Sequence, residues 1–375
     1  MRSVFITHKK LLGFDLNITG GVQLCSQEFY RFLEYCGFEI EPYYVEYNRN
    51  IFSRIRIKLQ LDCYDAYNIK KDKISLLRHI KDNDIKYVFI NHASAVRYSE
   101  VLKQYFGESI KICLLSHGND SGDFLHTLTK PLNKPHGIKL YKQVFKLGRL
   151  LYYETLSRNR YLNMILTVSE VEKEIENWIG AKKVFYIPRA IHKEFKSELK
   201  TNYKKGGFMG RLDHQPNFIG FKKLCESLKQ YSAKNDFEIS LVGAPESLGK
   251  KFQKEYSFVN YKGELSDIEL VKEVSTWSFI FNPVFWYSMG VSTKLAKAIE
   301  WEVPVISTTY GNRGYFWNEG EIIEKNTPEE MAEFFIDNIN NKEIINYHKK
   351  EIIKIKQSSF SLKELAENYK TQIFD

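Results

Sequence analysis

Short apolar runs, each closed by a glycine, a proline or a polar residue and each followed by a stretch of helical character, recur along the whole chain. Ser3–Thr7 (SVFIT), Tyr87–Asn91 (YVFIN) and Ile112–Ser116 (ICLLS) show no polar alternation, so each reads as a strand buried on both faces. Helix-like segments lie between them; Thr167-Val168-Ser169 follows a long helical stretch, and Val184–Ile187 (VFYI) runs into Pro188. Doubly buried strands separated by helices build a parallel sheet with a helix layer on either side.

The rhythm then restarts. Gly207-Phe208-Met209-Gly210 opens a strand–turn unit, followed by a helix over Phe218–Tyr231. Glu238–Val242 ends at Gly243, Val259-Asn260-Tyr261 at Gly263 and Phe279–Asn282 at Pro283, while Val305–Ser307 follows Pro304. The chain's 375 residues suit two domains of ordinary size. With the polar segment Lys196–Lys205 as hinge, the expected division is residues 1–200, 201–357 and a last helix, 358–375, returning to the first domain. Ser361 and Glu364 have the spacing of a capping box for that helix. The fold class is α/β, two Rossmann-like doubly wound domains.

Composition excludes other classes. Hydrophobic residues make up 43% and charged residues 27%, which suits a packed chain and not a disordered one. No apolar run reaches the roughly 18 residues of a spanning helix, and MRSVFITHKK reads as a first strand rather than a signal-peptide core. Five cysteines (Cys25, Cys36, Cys63, Cys113, Cys225) without a CxxC pair suggest buried thiols in a reducing cytoplasm, not disulfides or a zinc site.

Ligands of open parallel sheets bind outside the carboxyl ends of the strands, and that rule sorts the polar residues. Gly20-Gly21 stands between the first strand and first helix, where it either admits an anion to the helix N-terminus or makes a tight turn. His117 follows a buried strand within Ser116-His117-Gly118-Asn119-Asp120, placed to donate a hydrogen bond or act as a base; His92 occupies a similar strand end. Gly210-Arg211 offers a phosphate clamp, and Gly290-Val291-Ser292-Thr293-Lys294 opens a helix with hydroxyls and a cation. Together these favour a diphosphate, although the Walker A spacing is absent. Asp82-Asn83-Asp84 precedes its strand, at the wrong edge for a metal–diphosphate site, and reads as a polar turn.

In order and spacing these elements resemble the GT-B glycosyltransferases, in particular the family 4 type, over nearly the whole chain. Gly20-Gly21-Val22, Ser116-His117-Gly118, Thr167-Val168-Ser169-Glu170 with Ile187-Pro188, and Gly210-Arg211-Leu212 with Pro216-Asn217 and Gly220 carry the resemblance. Gly290 through Thr308, followed by Gly311-Asn312-Arg313-Gly314, is similar to the donor-binding signature. The resemblance implies two domains facing each other across a cleft. It also implies a hexosyltransferase that moves sugar from a UDP- or GDP-type nucleotide sugar to a glycan acceptor in surface-polysaccharide or glycoconjugate biosynthesis, without a metal or other cofactor. His117, Asp120, Arg211 and Lys294 are the implied catalytic set. Gly20, Gly21, Gly210, Arg211, Gly243, Gly263, Gly290, Val291, Ser292, Thr293, Lys294 and Lys297 are the implied donor site. Retention is expected over inversion, with Asp120 or Asp123 the nearest bases should the enzyme invert. Two positions depart from the family pattern: its paired glutamates fall on Met289 and Lys297, and its Pro-Asn-Gly turn is Pro188-Arg189-Ala190.

The net charge of +9 is local. Lys130–Arg160 holds eight Lys/Arg against one acid, Glu154. Lys139, Lys142, Lys146 and Arg149 share one helix face, with Leu140, Tyr141, Val144, Leu147 and Leu151 as an adjoining apolar face. This pattern suits an anionic membrane surface, and hence a lipid-linked acceptor reached from the cytoplasm, or else a solvated helix on the sheet. A second patch alternates Arg54, Arg56 and Lys58 with Ile55, Ile57 and Leu59, as one face of a strand would. An epimerase-like enzyme on the same fold and a non-catalytic sugar-nucleotide binder are the alternatives; no nucleic-acid motif accompanies the charge.

Overall fold

Two units make up the chain: Met1–Pro188 together with Leu362–Asp375, and Arg189–Ser361. The structure, a computed structural model, describes residues 1–13, 20–59, 64, 67–129, 136–194, 201–315 and 317–374. The division falls at 188/189 and 361/362 where the sequence suggests 200/201 and 357/358. Hydrogen bonding explains the shift: Arg189 N–H donates to Gly314 O (3.0 Å) and Ile191 N–H to Phe360 O (3.2 Å), so the chain joins the second unit directly after Pro188. Of the expected hinge, residues 196–200 lie outside the described residues.

The first unit runs β1 (Arg2–Thr7), α1 (Lys9–Leu12), α2 (Gly21–Tyr35), β2 (Glu39–Tyr44), α3 (Ile51–Lys58), α4 (Ile69–Asp82), β3 (Tyr87–Asn91), α5 (Tyr98–Phe106), β4 (Lys111–Ser116), α6 (Asp120–Thr129), α7 (Gly137–Arg160), β5 (Met164–Thr167), α8 (Glu170–Trp178) and β6 (Val184–Tyr186). Its strands form one parallel sheet in the order β2-β1-β3-β4-β5-β6. The apolar runs of β1, β3 and β4 are buried throughout except at the half-buried Tyr87 that opens β3, as their lack of alternation requires.

The second unit runs β7 (Lys205–Met209), α9 (Gln215–Lys229), β8 (Glu238–Val242), α10 (Glu246–Glu255), β9 (Val259–Gly263), α11 (Asp267–Val274), β10 (Phe279–Asn282), α12 (Thr293–Glu300), β11 (Val305–Ser307), α13 (Thr309–Asn312), β12 (Ile323–Glu324), α14 (Pro328–Asn338) and α15 (Lys342–Ser358). Its parallel sheet has the order β12-β11-β10-β7-β8-β9. Central β7 carries Gly206-Gly207 because a Cβ on Gly207 would lie 2.0 Å from the buried Trp277 ring. The last helix, α16 (Leu362–Phe374), belongs to the first unit, where Phe374 packs edge-on against Phe38, Tyr87 and Phe89.

One element departs from expectation. Arg54, Arg56 and Lys58 lie on helix α3, not on a strand. Asn50 starts the helix, its carboxamide oxygen accepting Phe52 N–H (2.9 Å) and its carbonyl Arg54 N–H (3.0 Å). A six-residue alternation fits either period, and here the local cap decides.

Candidate active site

In the first sheet the strand order reverses between β1 and β3, and it is beside the carboxyl ends at such a switch point that open α/β sheets bind ligands. Asn91 closes β3 there, fully buried. Its Nδ2 donates to Thr7 Oγ1 (2.9 Å) and Ser26 Oγ (3.0 Å). Those hydroxyls direct their own protons to His8 O (3.4 Å) and Val22 O (2.8 Å), so they accept from the amide. The amide is thereby oriented, and its Oδ1 faces His117 Nε2 at 2.8 Å. A carboxamide oxygen only accepts, so Nε2 carries the proton in neutral His117, and Nδ1 is where the imidazolium proton is gained. Neighbouring His92, at φ +76°, is held neutral: burial lowers its pKa to about 4. Its Nδ1 accepts Ser94 N–H (3.1 Å), a local capping role.

The turn after His117 is gripped from α7. Asn119 Oδ1 accepts Ser121 Oγ–H (2.9 Å) and Gly122 N–H (2.7 Å), while its Nδ2 donates to Glu154 Oε2 (3.3 Å). Glu154 Oε1 accepts Ser121 N–H (3.0 Å) and the Tyr64 hydroxyl (2.6 Å). Fully buried Glu154 has a raised pKa, burial outweighing the attraction of Arg158. Arg158, equally buried, is held by both oxygens of Glu176 (2.8 and 2.9 Å). Asp120, in the first turn of α6, has its pKa raised to about 6 by desolvation, opposed by the polar Tyr64 hydroxyl beside it and the charge of Arg158.

In the second sheet the order reverses between β7 and β10. The turns ending β7, β8 and β9 lie side by side: Gly210 N–H donates to Val242 O (3.0 Å) and Gly243 N–H to Gly263 O (2.9 Å). Gly243 sits at φ +137°, and a Cβ there would lie 2.1 Å from Gly210 O, so only glycine permits this approach. From Arg211 O a polar chain leads to Asn217 Nδ2 (3.0 Å), and from Asn217 Oδ1 to Lys294 Nζ (2.7 Å). Lys294 lies over the Phe208 ring (5.3 Å); burial, then the charge of Arg313, lowers its pKa to about 8. Buried Arg313 donates to the carbonyls of Tyr310 and Ser288. Asn282, closing β10 and fully buried, mirrors Asn91: its Nδ2 donates to Ser307 Oγ (3.0 Å) and Gly311 O (3.1 Å), and its Oδ1 accepts from Ser292 Oγ (2.9 Å). Tyr315 OH donates to Ser292 O (2.6 Å) and accepts Ala296 N–H (3.1 Å), which fixes the start of α12. The start of α12, Lys294 and Arg313 make a rigid, positively charged platform suited to an anion.

Residues 203–341, within the second unit, match the family model described as Glycosyl transferases group 1. The whole chain superposes on sucrose-phosphate synthase from Thermosynechococcus elongatus (TM-score 0.72, 14% identity, 99% of this chain and 98% of that one). It does so also on Anabaena HepE in complex with UDP and glucose (TM-score 0.65, 11% identity, 100% and 99%). With TarM the TM-score is 0.60 at 13% identity, over 81% of this chain and 57% of that one. No curated protein matches in sequence. These likenesses show the fold: the chain has the two-unit GT-B architecture of those structures, and the group 1 match covers its second unit.

The expected donor residues fall into three groups. Gly210, Gly243 and Gly263 terminate adjacent strands, and Gly290 and Val291 lead to Ser292, Thr293 and Lys294 at the start of α12. Arg211 and Lys297 are placed otherwise than as free phosphate ligands. The exposed Arg211 guanidinium is engaged by both oxygens of Asp213 (3.0 and 2.5 Å), and Lys297 Nζ donates to Glu300 (2.7 Å), farther along α12. In each case a carboxylate within three residues offsets the cation. Gly20, Gly21, His117 and Asp120 belong to the first unit, with Gly20 the N-cap of α2. Met289 is half-buried just before α12.

On α7, Lys139 and Lys142 are exposed, Lys146 lies over the Phe124 ring (4.5 Å) and Arg149 beside Phe145 and Tyr153. The apolar face is rotated from the expected one: Leu147 and Leu151 are half-buried, whereas Leu140, Tyr141 and Val144 are exposed. Leu147 and Leu151 lie nearer the side of α7 that carries the buried Leu150 and Glu154.

Asn91, Asn282 and Glu154 went unrecognised in the sequence. A signal existed for the first two: YVFIN and FIFN are the same device, an apolar strand closed by asparagine. Cys25, Cys36, Cys113 and Cys225 are buried free thiols, the Cys36 thiol pushed up to about 12 by burial; Cys63 lies outside the described residues. Among the described residues no group of three or more His, Cys, Asp or Glu is placed to hold a metal. A groove of about 460 Å³, lined by Lys204, Asp236, Glu238, Gln253 and Asn260, lies at the opposite, amino-end edge of the second sheet. No helix among the described residues is long and apolar enough to cross a membrane.

Proposed function

We propose that the protein is a glycosyltransferase that moves a hexose, with retention and without a metal, from a UDP- or GDP-type nucleotide sugar to a glycan acceptor. The acceptor is carried on a lipid at an anionic membrane surface, in surface-polysaccharide or glycoconjugate biosynthesis. The observation that carries the donor side is the Arg211–Asn217–Lys294 chain beside the start of α12. A diphosphate leaving group gains charge in the transition state, and a fixed cation and helix N–H groups stabilise it without reorganising. Lys294, with its pKa lowered to about 8, gains most from such an anion. The solved complexes of HepE with UDP and glucose and with UDP-glucose support a UDP-type donor.

His117, oriented by Asn91, is the polar group offered from the first unit. With retention, the leaving phosphate accepts the acceptor's proton; with inversion, Asp120 is the base, ionised above about pH 6. Thermal shift against a panel of nucleoside diphosphates identifies the base, since ligand binding raises the melting temperature. NMR of the product anomer tests stereochemistry: the same anomer as the donor is expected, and the opposite one overturns retention. Transfer unaffected by EDTA is expected. Incubation with donor alone separates transfer from epimerisation, because an epimerase converts the donor without acceptor. Lys294→Ala should lower turnover by about two orders of magnitude, the scale of losing one preorganised transition-state contact; wild-type turnover overturns the donor assignment.

A further inference from the structure

Large apolar side chains exposed to water are concentrated on two helices of the first unit. Of the 22 exposed large apolar side chains among the described residues, ten lie on α3 with the residue after it, and on α7. On α7, Ile138 (77% exposed), Tyr141 (78%), Phe145 and Tyr152 recur at helical spacing, with Leu140 and Val144 at their flank. Lys139, Lys142, Lys146 and Arg149 run alongside as a second stripe, and the buried Leu150, Glu154, Ser157 and Arg158 lie farther along the helix. No acid occurs between Gly137 and Tyr153. Ile51 (67%), Phe52 (74%), Ile55 and Leu59 are likewise exposed on and just after α3, beside Arg54, Arg56 and Lys58, again without an acid. No described side chain of α3 is buried. Eight residues are too few for a helix to be stable in water by itself, since isolated helices below about 12–15 residues are marginal.

We infer that α3 and the amino-terminal half of α7 insert their apolar side chains into the headgroup–acyl boundary of an anionic bilayer. The charge selects the partner. A surface with cations only, interleaved with aliphatic and aromatic side chains, complements anionic headgroups above hydrocarbon. A nucleic acid offers no apolar phase for Ile51, Ile55 and Ile138, and electrostatic attraction alone leaves their exposure unexplained. The inference rests on the membrane-surface reading above and adds to it penetration and a second helix. Lys146 and Arg149, lying against aromatic rings, keep their charge at the boundary while their stems cover apolar surface.

The test is sedimentation of the full chain with vesicles of phosphatidylcholine alone or with 40 mol% phosphatidylglycerol, at about 0.1 and 1 M salt, where the screening length falls from about 10 to 3 Å. Binding to the anionic vesicles is expected, with a fraction persisting at high salt. Phe52→Ser/Ile55→Ser and Tyr141→Ser/Phe145→Ser should each lower the partition coefficient at least tenfold and abolish the salt-resistant fraction. Tyr141→Trp should gain fluorescence quenching by bromine-labelled acyl chains relative to the unsubstituted protein. Binding lost entirely at high salt, or equal in the serine variants, overturns insertion. So does a concentration-dependent dimer in sedimentation velocity that the serine variants dissolve, since a second copy then covers the face. Transfer to a soluble acceptor without vesicles reads the proposed activity separately, and the serine variants should retain it. Its absence in the unsubstituted protein counts against that activity and not against insertion.

Discussion

Asn91 Oδ1 lies 2.8 Å from His117 Nε2, and two hydroxyls on other elements decide which way the amide faces. Asn91→Leu strips partners from His117, Thr7 and Ser26 at once. Each buried polar group left unsatisfied costs about 1–3 kcal/mol, so urea denaturation should show a loss of at least that size. Asn91→Asp keeps the shape and adds a negative charge beside Nε2. The His117 ring should then titrate at higher pH than in the unsubstituted protein, read from its ¹⁵N shifts; an unmoved titration overturns the orienting role.

Lys294 predicts the pH dependence of nucleotide binding. Its pKa in the free protein is lowered to about 8 by burial and Arg313, and a bound diphosphate raises it. Binding therefore needs the protonated lysine, and affinity for the nucleoside diphosphate should be level below about pH 7 and weaken as pH rises through 8. Calorimetric titration from pH 6.5 to 9.5 measures this. Lys294→Ala should bind more weakly and lose the dependence in that window; the same slope in both proteins refutes the assignment.

Arg158 and Glu176 form a fully buried pair. Removing one partner leaves an uncompensated buried charge, so Arg158→Met should destabilise by about 3–5 kcal/mol. Arg158→Met with Glu176→Leu should recover much of that loss, because neither charge then needs solvation. Denaturant midpoints of the single and double variants check both statements.

Gly243→Ala tests the strand-end turns. Its Cβ would lie 2.1 Å from the Gly210 carbonyl, on backbone that has no rotamer to yield. The β7 and β8 turns must move apart, and nucleotide affinity should fall at least tenfold while the melting transition stays cooperative. Unchanged affinity would show that these turns do not shape the donor site.

Much of the fold is legible in the sequence because its signals are local. The unalternating runs SVFIT, YVFIN, ICLLS and FIFN, short and bounded by polar residues or breakers, read as strands covered on both faces. Glycines after β7, β8 and β9 mark turns whose tight approach the structure displays. Less of the site is legible. Arg211 and Lys297 have the right residue type in the right region, yet Asp213 and Glu300, two and three residues away, hold them. Helix α3 carries an alternation too short to distinguish from a strand, and capping by Asn50 settles it.

The sequence by itself determined two successive parallel α/β sheets, the strand ends at which glycines and polar residues gather and the stretch holding most of the net charge, because periodicity, glycine placement and charge are properties of neighbours along the chain. Only the tertiary structure decided which strand ends adjoin. Asn91 and Thr7, 84 residues apart, meet because β3 pairs with β1; Lys294 and Asn217, 77 apart, meet across the β7–β10 switch point. Strand order has no local signature: it follows from how the helices cover both faces of each sheet, and it turns separate polar residues into an oriented histidine and a lysine with a lowered pKa.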